Sequence, residues 1–149
     1  MRIIGGFHRG RKIKSLSGQT TRPTLDFVRE ALFNIIGSDI KGACFIDAYA
    51  GTGAVGIEAL SRGAEHVVFI DTSAAACRLI RENLEGLGIL KSADIVNKDT
   101  INALKNMDEK ALTFDTIFID PPYDSGEIGL CLKFLLNSNL LKPGALVIT

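Results

Sequence analysis

The stretch Asp120-Pro121-Pro122-Tyr123 gathers groups that can hold an amino group for reaction. It follows the apolar run 114–119, rich in isoleucine and phenylalanine, which reads as a buried strand. Two consecutive prolines remove two N–H donors and fix φ twice, so the strand must stop and a stiff, extended turn must follow. That turn offers the Asp120 carboxylate, the Pro121 carbonyl and the Tyr123 ring, with Pro122 fixing its path. The matching chemistry is methylation of an exocyclic amine on a planar base. The lone pair of such an amine is delocalised into the ring, and it attacks well only when acceptors hold both N–H bonds and draw the nitrogen toward tetrahedral geometry. Asp120 and the Pro121 carbonyl are two such acceptors, and Tyr123 is a stacking face worth roughly 1–3 kcal/mol. A carboxylate with an ordinary pKa of about 4 cannot deprotonate a neutral aryl amine first, so Asp120 orients the amine and takes a proton only after the nitrogen is cationic. The plain alternative is that the prolines merely end a strand and Tyr123 is a surface residue.

The turn needs a sheet edge with a cofactor site beside it, and an earlier stretch supplies one. Cys44-Phe-Ile-Asp-Ala-Tyr-Ala50 reads as a buried strand interrupted by Asp47. Gly51-Thr-Gly53-Ala-Val-Gly56 follows and opens a helix that runs through Leu60 and ends near Gly63. Strand, glycine-rich turn and helix form the first unit of a nucleotide-binding sheet. The spacing G-x-G-x-x-G suits a dinucleotide or S-adenosylmethionine, though a tight turn packing helix on strand would show the same glycines. A second strand over 66–70 ends in Asp71, about 20 residues after the glycines, where a carboxylate can accept from two ribose hydroxyls. A short third strand over 94–99 ends in Asp99, for which two compatible roles are open: capping the next helix and accepting from an adenine amino group.

Helical periodicity fills the intervals. Thr24 is the expected N-cap of a first helix with Leu25, Val28, Leu32 and Ile35 along its apolar stripe, widened by Phe33 and Ile36 and ended by Gly37. Arg29 and Glu30 on that helix form a surface pair or face the site. Ser73 caps a helix with Ala76, Leu79 or Ile80, Asn83 or Leu84, and Leu87. Thr100 caps one with Ile101, Leu104 and Met107, and Ser125 starts one with Ile128, Leu132, Leu135 and Leu136. Lys142-Pro143-Gly144 reads as a turn before a fifth strand over 145–149. This alternation predicts an α/β fold, a doubly wound, mainly parallel sheet with helices on both faces.

A chain of 149 residues, 46% hydrophobic and 23% charged, fits one soluble globular domain. It has no apolar run of about 18 residues and no signal-peptide segment, so a cytoplasmic protein is expected. Cys44, Cys77 and Cys131 lie far apart and read as small buried hydrophobes, while His8 and His66 are isolated, so no metal is expected. Net charge is zero, but Arg2, Arg9, Arg11, Lys12, Lys14 and Arg22 precede Asp26 with no acid among them, leaving 11 basic against 17 acidic residues. A basic arm on an acidic body points to a phosphate-rich partner, unless the arm is simply solvated. Ile3-Ile4 and Ile13 with Leu16, around Gly5-Gly6 and Gly10, favour an ordered β-hairpin; residues 1–23 form this extension and 24–149 the main domain.

The whole chain resembles the bacterial 16S rRNA guanine-966 N2-methyltransferases. The resemblance is carried by Arg2-Ile-Ile-Gly-Gly6, Arg9-Gly-Arg-Lys12, Thr21-Arg-Pro-Thr24, Val28-Arg-Glu-Ala-Leu-Phe-Asn34, Asp47-Ala-Tyr-Ala-Gly-Thr-Gly53, Gly56-Ile-Glu-Ala-Leu-Ser-Arg-Gly-Ala64 and Asp120-Pro-Pro-Tyr123. It implies a class I methyltransferase with S-adenosylmethionine at the carboxyl ends of the strands and a hairpin that grips 16S rRNA, within a small-subunit particle, through Arg2, Arg9, Arg11, Lys12, Lys14 and Arg22. By position, Asp47, Gly51 and Gly53 would line the methionine side of the cofactor, Asp71 its ribose and Asp99 its adenine, with Ala50, Thr52, Thr72, Thr100 and Asp120 as further cofactor contacts. A monomer is the expectation. Three positions depart from the family pattern: Asp71 stands where glutamate is usual, Phe27 replaces a usual arginine, and the antiparallel pair that normally follows the fifth strand is absent. The last departure implies a truncated chain or a short member with an exposed strand edge. Rival readings are an adenine-N6 methyltransferase, a nicotinamide oxidoreductase that leaves Asp120 to Tyr123 unused, and a non-catalytic RNA-binding module.

Overall fold

The computed structural model describes residues 1–15, 23–122 and 126–149. The readings made for Leu16, Thr21, Arg22, the side chains of Thr24 and Leu25, Tyr123 and Ser125 lie outside the described residues. Strands β1 (Cys44–Ala48), β2 (His66–Asp71), β3 (Ala93–Asn97), β4 (Phe114–Ile119) and β5 (Leu141–Ile148) form one sheet in the order β3-β2-β1-β4-β5. Every pairing in it is parallel. Helix α1 (Pro23–Ile36) precedes the sheet; parallel neighbours need crossovers, and these are helices α2 (Ala54–Ser61), α3 (Ala74–Leu87), α4 (Thr100–Glu109) and α5 (Glu127–Leu135).

Alternate strand residues feed two cores. Phe45, Val67 and Phe69 meet Ile57, Leu60, Ile80 and Leu84 of α2 and α3 on one face. Ile46, Val68, Ile70, Ile117 and Ile119 meet Leu104, Met107, Cys131 and Leu135 of α4 and α5 on the other. Burial on both faces is why these strands read as nearly unbroken apolar runs.

Four local expectations are corrected. In α1 the inward residues are Arg29, Phe33 and Ile36, while Val28 and Ile35 are exposed; the buried position nearest the site is an arginine, which a count of apolar residues passes over. In α5 Cys131 and Leu135 are buried and Leu136 is exposed. The cap of α4 is Asp99, whose carboxylate accepts from the Asn102 N–H at 3.0 Å, and Thr100 is the first, buried, helical residue. Finally, β5 begins at Leu141: Lys142-Pro143-Gly144 sits inside it as an irregularity between the pairs Phe114/Leu141 and Thr116/Leu146, anchored by Lys142 on Asp115 at 2.9 Å.

The N-terminal segment is an ordered hairpin, with Arg2 bridged to Lys12 and the Ile3 N–H donating to the Arg11 carbonyl at 3.0 Å. Ile3 and Ile13 are buried in the α2–α3 core. The hairpin is clamped by Glu58, 1% exposed, which accepts from the N–H groups of Ile4 at 2.9 Å and Gly5 at 2.7 Å and from Arg62 Nε at 2.8 Å. Ser61 Oγ donates to the Gly5 carbonyl at 2.6 Å and accepts from the His8 N–H at 3.0 Å. The approach is so close at Gly6, with φ 78°, that a Cβ there would lie 1.8 Å from the Ser61 carbonyl oxygen.

Candidate methyl-transfer site

Strand register assembles the site. Ala48 pairs with Ile70 on one side and Ile119 on the other, so the residues that follow or end these strands, Asp71, Tyr49 and Asp120, come out in one row at the carboxyl edge. Because β1 has β2 on one side and β4 on the other, this row spans the point where strand order reverses, the crevice in which open parallel sheets take their ligands. An open cleft of about 400 Å³ lies there, lined by Asp47, Tyr49, Ala50, Gly51, Thr52 and Asp120 along the sheet edge and by Arg29 and Leu32 of α1.

The glycine loop leaves β1 through Gly51 at φ 55° and Gly53 at φ 75° and enters α2. Gly56 lets that helix close on the sheet, since a Cβ there would lie 2.3 Å from Phe69 Cε1. Asp47, 2% exposed, accepts from the Gly56 N–H at 2.8 Å. Burial drives its carboxyl up to about 7 against the opposing Gly56 hydrogen bond, with Asp120 and Asp71 adding like-charge repulsion. A cation in the cleft would be welcome beside it.

Asp71 accepts from the Gly51 N–H through Oδ2 and from the Ser73 N–H through Oδ1, each at 2.8 Å. It thus fastens the glycine loop, and each oxygen keeps a lone pair for a ligand hydroxyl. Thr72 is exposed beside it, its carbonyl held by Asn97 Nδ2 at 2.9 Å. Asp71, Thr72, Asp99 and Thr100 stand outside the lining of the cleft, on the β2–β3 side. Asp120 and Pro122 are exposed and Pro121 is half-buried; Tyr123 lies outside the described residues. This donor and acceptor set fits S-adenosylmethionine: an acidic pocket for an ammonium, a glycine loop for close backbone approach, and a carboxylate at the second strand end for a ribose. Among the described residues no group of three or more His, Cys, Asp or Glu could hold a metal ion, and no helix is long and apolar enough to cross a membrane.

Two site residues escaped the sequence reading. Tyr49 holds φ at 63°, a strained conformation for a bulky residue, and lines the cleft with its hydroxyl 3.6 Å from Cys131 Sγ. Burial, and next the Cys131 contact, raises its phenol. Only its position inside the Asp47-to-Gly53 motif hints at this, because positive φ is normally signalled by glycine or asparagine. The other is Arg29, left open as a surface or site residue: it is 4% exposed, donates to the Arg2 carbonyl at 2.6 Å and to Asp26 at 3.1 Å, and lies 3.5 Å from Glu58 through an Nε that makes no hydrogen bond.

The basic arm divides in two. Arg11 donates to the Gly86 carbonyl at 2.7 Å, at the end of α3, and Lys14 pairs with Glu82 at 2.8 Å, so these two fasten the hairpin to the body. Arg9 and Lys12 are exposed, with no side-chain partner among the described residues, and the exposed Arg2 reaches only the Gly10 carbonyl at 3.4 Å. Arg22 lies outside the described residues.

Comparison with known proteins agrees with this geometry. Residues 1–149 match the model of the family described as conserved hypothetical protein 95. The chain is 35% identical to ribosomal RNA small subunit methyltransferase D of Haemophilus influenzae over 148 residues, covering 99% of this chain and 76% of that protein. It is 36% identical to its Escherichia coli K12 counterpart over 147 residues, covering 99% and 72%. A solved Escherichia coli structure, the methyltransferase candidate yhhF, superposes with a TM-score of 0.87 at 36% identity, covering 99% of this chain and 78% of that one.

Proposed function

The chain belongs to the conserved hypothetical protein 95 family, beside ribosomal RNA small-subunit methyltransferases, and from that premise we propose that it methylates small-subunit ribosomal RNA from S-adenosylmethionine, on the exocyclic N2 amino group of a guanine. The single observation that carries the reading is the row of Asp71, Tyr49 and Asp120 at the switch point of the sheet, beside the glycine loop. When bound, S-adenosylmethionine supplies an electrophilic methyl group on a sulfonium.

In this reading the Asp47 carboxylate accepts from the cofactor ammonium, and Ala50, Gly51, Thr52 and Gly53 form the backbone wall of the methionine side. Asp71, with Thr72, receives the ribose hydroxyls; Asp99, with Thr100, bounds the adenine. The Asp120 carboxylate and the Pro121 carbonyl hold the two amino protons of the guanine, Pro122 keeps the turn rigid, and Tyr123 stacks on the base. Rate comes mainly from this positioning. Asp120 receives a proton only when the methylated nitrogen is cationic. Arg2, Arg9 and Lys12, with Arg22, hold RNA phosphates, and Arg11 and Lys14 keep the hairpin in place for them.

The test is transfer of a labelled methyl group to unmodified small-subunit particles and to their naked RNA, with the labelled nucleotide mapped. Label on a guanine N2 supports the assignment. Label on an adenine N6, or cofactor binding without transfer to either substrate, overturns it.

A further inference from the structure

A second opening of about 500 Å³ lies on the neighbouring face of α1, lined by Met1, Arg2, Lys12, Asp26, Phe27 and Glu30. Val28, Arg29 and Leu32 of the same helix line the first cleft, and Met1 lines both, so the two openings adjoin at Met1. Phe27 is 71% exposed. A lone exposed phenylalanine needs no explanation, but this one stands among two exposed cations from the hairpin and an exposed carboxylate from α1. Asp26 is engaged by Arg29 at 3.1 Å, whereas Glu30 has no hydrogen-bond or ion-pair partner among the described residues.

We propose that this second cleft takes one unstacked nucleotide of the RNA strand whose target guanine enters the first cleft. The proposal rests on the RNA methyltransferase reading and adds a subsite to it. Phe27 offers a π-face to the base, as single-stranded RNA recognition requires. Arg2 and Lys12 lie at the hairpin side of the same opening, where they meet its phosphate. Glu30 accepts from the Watson–Crick edge, and guanine is the base that presents two parallel N–H donors there to a carboxylate. Two exposed cations without an ion-pair partner among the described residues, set beside an exposed aromatic face at an opening that adjoins the first cleft, select RNA as the occupant.

The test uses the whole chain with naked small-subunit rRNA, assembled particles, and an rRNA fragment carrying 2-aminopurine in turn at each nucleotide flanking the target. Phe27→Ala should keep its urea midpoint, its cofactor affinity and kcat, and raise KM for naked RNA about 5- to 150-fold. Phe27→Trp should restore KM. One 2-aminopurine position should be quenched on binding to the parent and not to Phe27→Ala, and Glu30→Ala should weaken the preference for guanine at that position while leaving the salt dependence unchanged. An unchanged KM and unchanged quenching in Phe27→Ala, with an active parent, sink the subsite alone. A defect confined to assembled particles would make the cleft a protein contact and also overturns it. Failure of the parent to bind or methylate any RNA brings down the functional reading, and the subsite with it.

Discussion

At the residue scale, Asp47 carries a titration that shows in stability. Its carboxyl is moved from 3.8 to about 7, chiefly by burial, which corresponds to roughly 4 kcal/mol. Between these values the native Asp47 holds a proton that the unfolded chain has lost, so its contribution to stability falls as pH rises from about 4 to about 7 and is level above. Asp47→Asn keeps an acceptor for the Gly56 N–H and removes the titration. Its stability advantage over the parent should therefore grow with pH across that window, as read from urea midpoints; a difference that does not change with pH would contradict the argument. In the proposed function the charged form binds the cofactor ammonium, so affinity should rise through pH 7 and be lost in Asp47→Asn. Asp120 works differently, since it is exposed at the strand end. Asp120→Ala should lower kcat by about 100-fold or more and leave cofactor affinity nearly intact. Near-normal turnover would remove Asp120 from its assigned role.

At the scale of elements, the contact of α2 with β2 and with the hairpin decides whether the loop and the RNA arm hold their places. Gly56→Ala puts a methyl group 2.3 Å from Phe69 Cε1, in a ring with no exposure, and should cost about 1–3 kcal/mol. Phe69→Leu in the same chain should return part of that loss, and a purely additive double variant would show that the clash is not the cause. Glu58→Ala removes the buried carboxylate beside Arg29 and leaves two backbone N–H groups unpaired, a loss of about 3–5 kcal/mol, with hydrogen exchange at Ile4 and Gly5 rising first. Strands β1, β2 and β4 were legible because each is a largely apolar run closed by an acid or a glycine, and the Gly51-to-Gly56 spacing and Asp120 came from chemistry that shows in single residues. The inward face of α1 was not legible, because Arg29 is held there by the Arg2 carbonyl and faces Glu58, partners that only the fold brings to it. Nor was the start of β5, where Lys142 lies inside the strand and pairs with Asp115 on β4. Tyr49 is the extreme case, a strained backbone held by neighbours that local propensity does not report.

At the scale of the whole molecule, the basic arm proves to be both anchor and contact surface, and the two jobs fall on different residues. Arg11 and Lys14 are bound to the acidic body through α3, while Arg9 and Lys12 stay exposed beside Arg2. Phosphate contacts release counterions, so the slope of log affinity against log salt counts them, at about 0.7 to 0.9 per contact. Arg9→Gln with Lys12→Gln should reduce the slope for rRNA binding by about 1.4 to 1.8 and leave the urea midpoint where it was, because neither side chain holds the fold. Arg11→Gln with Lys14→Gln should instead lower the midpoint, and its effect on binding should vanish when the hairpin is kept docked by a disulfide between the arm and α3. The pair of measurements separates an arm that merely adds charge from one whose placement matters. If both double variants lower the slope equally and neither changes the midpoint, the docking contacts of Arg11 and Lys14 do not persist in solution and the arm acts as a loose polycation.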